Sequence, residues 1–236
     1  MGSVTSTSAE LRIGIDIGKR HDPTAMVVAI AENRNRDETH FVVPFLKRLD
    51  LDLPYTDQVA ELHDMCSRAI RRFWLINRSA RSPKILVDVT GVGDAVLDTL
   101  KPRVRNAAEV IPCRFMAGDR LTRDGEEFRV GKSYFVSRLQ VLSESKRIHL
   151  PQLPEALQLS QEMLDFDIDV DESSGKATYG AIRPGTHDDM VTALGLACLL
   201  DIKDDQRLTL HGTTKRSIIV GSEDWFGKAS HHHTSL

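Results

Sequence analysis

Three acidic positions in the sequence occur where a strand or a helix would hold a carboxylate in a fixed direction. Asp16 interrupts a run of isoleucines, Asp88 ends a second apolar run just before a Thr-Gly-Val-Gly turn, and the pair Asp188-Asp189 precedes a long apolar segment. A carboxylate in a buried strand is unfavourable unless a cation or a donor pairs with it. Brought together, these side chains would form the oxygen-rich site that Mg²⁺ or Mn²⁺ prefers.

Such a site suits the hydrolysis of a phosphodiester, because two ions about 4 Å apart can activate a water and stabilise the leaving oxygen. Taken singly, each position also has an ordinary structural explanation. Asp16 can accept hydrogen bonds from the turn that follows it, and Asp88 can cap its turn. The segment Thr186-His187-Asp188-Asp189 also fits a helix capping box. It is the combination of the three positions that favours a metal site.

Composition excludes several classes of protein. The chain has 236 residues, a formal net charge of −3 and 28% charged residues, which is ordinary for a globular protein. Its longest uncharged apolar stretch, Met190 to Leu200, is far shorter than the ~20 residues of a membrane span. The three cysteines are far apart and suggest neither a disulfide framework nor a zinc knuckle. We therefore expect a soluble, intracellular protein with reduced thiols and no membrane partner.

Charge is distributed unevenly along the chain. Residues 67–84 contain six basic side chains and no acid, whereas residues 160–189 contain eight acids and two bases. A basic surface beside an acidic cluster suits a polyanionic substrate held near metal-binding carboxylates. A helix with a solvated basic face explains the first segment equally well.

Hydrophobic periodicity predicts the elements that must position these side chains. Strands are expected at residues 11–17, 24–31, 39–49, 85–89 and 109–116, and helices at 56–77, 92–100, 132–146 and 155–164. A β-hairpin is predicted at 166–171 and 176–182, and a last helix from Thr186. Three antiparallel strands that lead through a helix into parallel crossovers give an α/β fold, a mixed five-stranded sheet flanked by helices, with an added β-hairpin.

The sequence resembles the C-terminal nuclease domain of phage large terminases, members of the ribonuclease H-like superfamily that cut concatemeric DNA during genome packaging. The resemblance covers residues 11–201, and its most specific part is the His-Asp-Asp helix. Three segments carry it: Ile13-Gly14-Ile15-Asp16-Ile17-Gly18, Leu86-Val87-Asp88-Val89-Thr90-Gly91-Val92-Gly93 and Gly185-Thr186-His187-Asp188-Asp189-Met190-Val191-Thr192-Ala193-Leu194.

The resemblance implies a divalent-metal-dependent endodeoxyribonuclease with two Mg²⁺ or Mn²⁺ ions. Asp16, Asp88 and Asp189 would be catalytic metal ligands, Asp188 an additional ligand, and Asp22 a weaker candidate for the same cluster. The implied partners are double-stranded DNA, the terminase ATPase domain, the small terminase and the portal protein. The implied location is the cytoplasm of an infected bacterial host.

A complete large terminase also has an ATPase motor, and we expect none in this sequence because its length leaves no room for one. The segment from Gly125 to Ser133 has five residues between its glycines where a P-loop has four, so we do not expect nucleotide binding. We expect residues 1–10 to be a disordered N-terminal segment or a cloning scar, 11–202 an isolated nuclease domain, and 203–236 a C-terminal tail.

The charged, glycine-containing segment at residues 117–131 is predicted to be a mobile loop that contacts DNA. It leads into Lys132 beside the expected active-site edge, and its candidate phosphate contacts are Arg120, Arg123 and Arg129, with Lys132. Phosphate contacts bear no base information, so we expect little sequence preference.

Three alternatives remain open. Another ribonuclease H-like nuclease, such as a Holliday-junction resolvase, would share the metal chemistry. An actin-like or sugar-kinase ATPase lobe has a first phosphate loop similar to Gly14-Ile15-Asp16-Ile17-Gly18, although no second loop is present. A catalytically inactive DNA-binding or portal-docking module would keep only the fold, and retention of all the expected carboxylates argues against it.

Overall fold

The computed structural model describes residues 9–18, 22–34, 38–77, 80–91, 93–171, 176–181 and 187–204. Its strands are β1 (Ala9–Asp16), β2 (Ala25–Arg34), β3 (Glu38–Arg48), β4 (Lys84–Asp88), β5 (Glu109–Met116), β6 (Leu121–Asp124), β7 (Glu127–Gly131), β8 (Ile148–His149), β9 (Phe166–Asp171) and β10 (Lys176–Ala181). Its helices are α1 (Tyr55–Ile76), α2 (Gly93–Val104), α3 (Lys132–Glu144), α4 (Pro154–Asp165) and α5 (Asp189–Ala197).

Eight of these strands form one mixed sheet in the order β6-β7-β5-β4-β1-β2-β3-β8. β1, β2 and β3 are antiparallel neighbours, whereas β4 is parallel to both β1 and β5. The predicted α/β class and the five predicted strands are therefore confirmed at the centre of the sheet. β9 and β10 form the predicted hairpin as a separate two-stranded sheet, and its turn, residues 172–175, lies outside the described residues.

The central strands are apolar on both sides because helices cover both faces of the sheet. On one face, Ile13 and Ile15 of β1 pack in a core with Leu62 and Phe73 of α1. On the other face, β2 and the outer strands pack in a second core with α3, α4 and α5. Every residue of helix α5 except Thr192 is buried, which explains why its sequence is apolar without an amphipathic period.

Helix α5 lies directly against β1, and Gly14 makes this contact possible. A Cβ atom built on Gly14 would lie 1.9 Å from the carbonyl oxygen of Ala193 in α5. A glycine in the middle of a strand is unfavourable unless another backbone approaches it closely. Gly14 therefore sets the distance between the strand that ends at Asp16 and the helix that begins at Asp189.

The prediction of a mobile loop at residues 117–131 is wrong, because most of this segment is a β-hairpin at the edge of the sheet. β7 pairs in parallel with β5, and β6 pairs with β7. Phe128 and Val130 bury their side chains in the core, and Gly125, at φ +61°, occupies the turn. The short alternation of apolar and charged residues in β7 was the signal, and the surrounding charges obscured it.

Several element ends differ from the prediction. β1 begins at Ala9 rather than Leu11, so Glu10 belongs to the sheet, where it is buried and pairs with Arg12 at 2.7 Å. Pro54 rather than Thr56 precedes α1 as its N-cap residue. Asp188 is the N-cap residue of α5 and makes no side-chain capping bond; Thr186, at which the helix and its capping box were predicted to begin, lies outside the described residues.

Residues 1–8 and 205–236, and with them most of the predicted tail, also lie outside the described part of the chain. Within that part, no helix combines the length and the apolar character needed to cross a membrane.

Candidate active site

Asp16 and Asp88 end two neighbouring parallel strands at the same edge of the sheet. Ile15 of β1 is in register with Val87 of β4, so the next residue of each strand is the aspartate. Neighbouring strands lie about 4.8 Å apart, and side chains at matching positions point to the same face. The two carboxylates therefore lie side by side on the face that α5 covers.

The start of α5 adds the remaining predicted carboxylates to this edge. Asp16, Asp22, Asp88, Asp188 and Asp189 all line one cleft of about 250 Å³. Asp189 is buried, with 3% of its surface exposed, whereas Asp22 lies exposed at the rim. The structure thus brings together all five acidic residues that the sequence predicted for the site.

This cleft is electrostatically unfavourable in the absence of a cation. Burial raises the pKa of Asp16 well above its usual range, and the negative charges of Asp88, Asp189, Asp188 and Asp22 raise it further. These are the two effects expected when carboxylates share a buried site. The ionised form of Asp16 therefore depends on a positive partner.

Asp88 is fixed in place by its own turn. Its Oδ1 accepts a hydrogen bond of 2.7 Å from the backbone N–H of Thr90. Burial raises the pKa of Asp88, while the bonds from Thr90 and the charges of Arg114 and Lys132 oppose that rise. The predicted turn-capping role of Asp88 is thus present, and it orients the carboxylate toward the cleft.

Asp189 is held by an arginine that the sequence did not single out. Arg48, the last residue of β3, donates from Nε to Asp189 Oδ2 at 2.6 Å and from Nη2 to Oδ1 at 3.0 Å. The same Nη2 donates to Oε1 of Glu162 in α4 at 2.6 Å. Planar, two-point pairing of this kind fixes both charge and orientation.

The residues of the cleft fit a divalent metal ion in their chemistry. Every candidate ligand is a carboxylate oxygen, the donor that Mg²⁺ and Mn²⁺ prefer, and the repulsion at Asp16 is what a cation would relieve. Within the described residues, however, no three acidic, histidine or cysteine side chains are already arranged to hold one ion. Both oxygens of Asp189 accept bonds from Arg48 in this arrangement.

The other side of the cleft is aromatic and carries one lysine. Phe115, Phe135 and Phe166 line the cleft, with the rings of Phe115 and Phe135 4.9 Å apart in an edge-to-face arrangement. Lys132, the first residue of α3, lies in the same cleft. His187 is exposed, with Nδ1 3.9 Å from Asp189 Oδ1, so it lies beside the carboxylates but at the surface.

The four predicted DNA contacts do not share one surface. Lys132 lies in the cleft, and Arg120 is exposed just before β6. Arg123 lies over the ring of Phe128, 5.6 Å from its centroid, on the α5 face. Arg129 alternates with the buried Phe128 and Val130, so it points to the opposite face, where it pairs with Asp124.

Sequence reasoning missed Arg48 and Glu162. Arg48 follows Lys47 at the end of a strand, and Glu162 is one of several acids in the segment 160–189. The ion pair joins residues 114 positions apart, so no local spacing marks it. One indication was available in the sequence. In a series of three antiparallel strands the third runs parallel to the first, so β3, which ends at Arg48, ends at the same edge of the sheet as β1.

Comparison with known proteins gives the fold. No protein-family model and no curated protein sequence matches the chain. Among solved structures, the manganese-soaked terminase nuclease domain of human cytomegalovirus aligns over 88% of this chain and 90% of its own, with 12% identity and a TM-score of 0.55. A second structure of that nuclease domain aligns over 83% and 85%, with 13% identity and a TM-score of 0.50.

RuvC of Thermus thermophilus aligns more loosely, over 80% of this chain and 90% of its own, with 14% identity and a TM-score of 0.36. Together with the strand order, the terminase structures show that this chain has the ribonuclease H-like fold of terminase nuclease domains.

Proposed function

We propose that the protein is a divalent-metal-dependent endonuclease that cleaves double-stranded DNA. The observation that supports this most directly is the cleft in which Asp16, Asp88 and Asp189 meet at one edge of a ribonuclease H-like sheet, with Asp188 and Asp22 beside them. A phosphodiester brought to such a cleft would be repelled by its carboxylates. A cation is therefore required for the substrate to approach as well as for the chemistry.

The metal ligands in this proposal are Asp16, Asp88 and Asp189, with Asp188 as an additional ligand. Mg²⁺ or Mn²⁺ held there, two ions in the full site, would activate a water and neutralise charge on the phosphate and the leaving oxygen. The chain's own contributions are structural. The Thr90 N–H orients Asp88, and the contact at Gly14 fixes the distance from β1 to α5. Lys132 offers an ammonium group to a phosphate oxygen at the mouth of the cleft.

The biological role that we propose is cleavage of DNA during viral genome packaging. The similarity of the three aspartate motifs to phage large terminases supports it, as does the fold shared with the cytomegalovirus terminase nuclease domain. In that role the ATPase motor, the small terminase and the portal protein would be partners, and the host cytoplasm would be the location. A weakly binding nuclease fits this arrangement, because the motor would hold the duplex close to the cleft.

Cleavage of supercoiled plasmid, linear duplex and a four-way junction tests the proposal. We expect the plasmid and the duplex to be cut with Mg²⁺ or Mn²⁺. Cleavage should be poor with Ca²⁺, whose coordination is looser, and absent with EDTA. Asp88→Asn should be inactive, whereas Asp98→Asn, an exposed change on α2, should keep full activity as the matched control.

Two outcomes would contradict the proposal. Full activity in excess EDTA would exclude the metal mechanism. Cleavage of the four-way junction with no cleavage of linear or supercoiled duplex would identify a junction resolvase on the same fold.

A further inference from the structure

Arg48 is placed beside the metal cleft by the register of the sheet. Asp16 is opposite Ala25 in β2, and Ala25 is opposite Arg48 in β3. Residues opposite one another point to the same face, so Arg48 and Asp16 point to the α5 face from positions two strands apart. Lys47, one residue earlier, points to the other face, where it pairs with Glu61 at 2.5 Å.

The guanidinium of Arg48 is divided between two acidic side chains on different helices. It makes two hydrogen bonds to Asp189 of α5 and one to Glu162 of α4. Because both oxygens of Asp189 accept from Arg48, a turn of this carboxylate toward Asp16 and Asp88 would break at least one of these bonds. This agrees with the finding that no three side chains of the described chain are arranged to hold an ion together.

Glu162 has capacity for a second hydrogen bond from the same arginine. Only its Oε1 accepts from Arg48, while its Oε2 is buried and has no hydrogen-bond partner within the described residues. A buried carboxylate oxygen without a donor is unfavourable. If Arg48 released Asp189, a two-point pair with Glu162 would satisfy this oxygen and keep the partly buried arginine neutralised.

We propose that Arg48 is a positioning residue that pairs with Asp189 in the metal-free protein and moves onto Glu162 when Asp189 binds a divalent cation. This inference rests on the proposed function, since it concerns the same metal site. Without a metal the pairing compensates the negative charge of Asp189, and the exchange makes Arg48 a competitor of the metal for Asp189. Glu162 favours metal binding by accepting the displaced arginine.

Titration of Mn²⁺ into the metal-free protein, followed by calorimetry and by loss of the free Mn²⁺ electron paramagnetic resonance signal, tests this exchange without DNA or cleavage. Arg48→Gln should bind Mn²⁺ about tenfold more tightly than wild type, the size of effect expected for one charge-assisted hydrogen bond. Glu162→Gln should bind about tenfold more weakly, because the displaced arginine loses its charged acceptor. In a protein that already carries Arg48→Gln, adding Glu162→Gln should change the Mn²⁺ affinity little, since Glu162 acts through Arg48.

Two matched controls separate these effects from a general change in charge. Lys47→Gln removes one positive charge from the neighbouring position, and Glu61→Gln removes its partner's charge; neither should change Mn²⁺ affinity by more than about twofold. Thermal unfolding in EDTA checks folding, and Arg48→Lys, which keeps the charge but cannot make the two-point pair, should bind Mn²⁺ with an intermediate affinity.

The outcomes distinguish this inference from the proposed function. Absence of Mn²⁺ binding to the wild-type protein would overturn the proposed function and this exchange with it. If wild type binds Mn²⁺ but Arg48→Gln binds it equally or more weakly, Arg48 only orients Asp189 and the exchange is wrong. If Arg48→Gln does not fold, unchanged affinity in Glu162→Gln would overturn the exchange in its place.

Discussion

Replacing Gly14 by alanine should greatly lower kcat for DNA cleavage while lowering the free energy of unfolding only moderately. The added Cβ would lie 1.9 Å from the carbonyl oxygen of Ala193 and 2.7 Å from the backbone nitrogen of Ala197. Both neighbours are backbone atoms of α5, so no side chain can turn away to make room. Since ordinary contacts begin near 3.4 Å, α5 must move from β1 by about 1.5 Å.

The size of both effects follows from that displacement. Forcing an extra methyl group into a well-packed core costs about 1–3 kcal/mol, which lowers the melting temperature of a domain of this size by about 2–12 °C. The displacement also changes the distance from Asp16 to Asp189. Misplacing a catalytic group by about 1 Å can reduce the rate about 100-fold, so we expect a fall in kcat of at least that size.

The measurements are kcat for plasmid cleavage at saturating Mg²⁺ and DNA, and thermal unfolding of the same samples. Gly125→Ala is the matched control. Its Cβ has nothing within 4 Å, but its φ of +61° is strained for alanine, which costs about 1–2 kcal/mol at the turn between β6 and β7. If the two variants show equal kcat, the contact at Gly14 does not set the catalytic geometry.

Three further predictions concern the aspartates of the cleft, Lys132 and the buried thiol of Cys66. Asp16→Asn and Asp88→Asn should abolish cleavage yet melt at or above the wild-type temperature in EDTA. The pKa of each carboxyl is raised, so its ionised form destabilises the fold. This gain should be absent in acid, where both states are protonated, should grow as the pH rises above the unfolded-state pKa, and should be complete above the folded-state pKa; a lower melting temperature at pH 8 for both would contradict the assignment. Lys132→Ala should flatten the slope of log DNA affinity against log salt by about 0.9, whereas Arg129→Ala, on the opposite face, should leave it unchanged; equal slopes for the two would remove Lys132 from the interface. Burial raises the pKa of Cys66 to about 12, so this thiol should react with Ellman's reagent at pH 8 only after unfolding, and rapid reaction of the native protein would contradict its burial.

The positions of Asp16 and Asp88 could be predicted because each breaks a strong local pattern. An isolated carboxylate in an apolar strand is conspicuous, and the chain order of strands and helices places both strand ends at one edge. The first glycine of the same motif, Gly14, was visible in the sequence. The reason for this glycine was not visible, because the carbonyl oxygen that a side chain there would strike belongs to Ala193 of α5.

The hairpin of β6 and β7 and the pairing of Arg48 with Asp189 show where sequence reasoning ends. A four-residue strand such as β6 is too short for its period to stand out among charges, so the hairpin resembled a loop. The period of two also determines that Arg123 and Arg129 face opposite sides, which could not be known before the segment was recognised as strands. The arginine pair depends on tertiary contacts alone.

The close contact between β1 and α5 has a consequence for the synthesis of the protein. A chain that has left the ribosome only as far as α4 already contains Asp16 and Asp88 but lacks Asp188 and Asp189. It also exposes the apolar face of β2 that α5 covers in the finished fold. If the protein cleaves DNA through these carboxylates as proposed, the nascent chain would be unable to cut nucleic acid until α5 has packed onto β1.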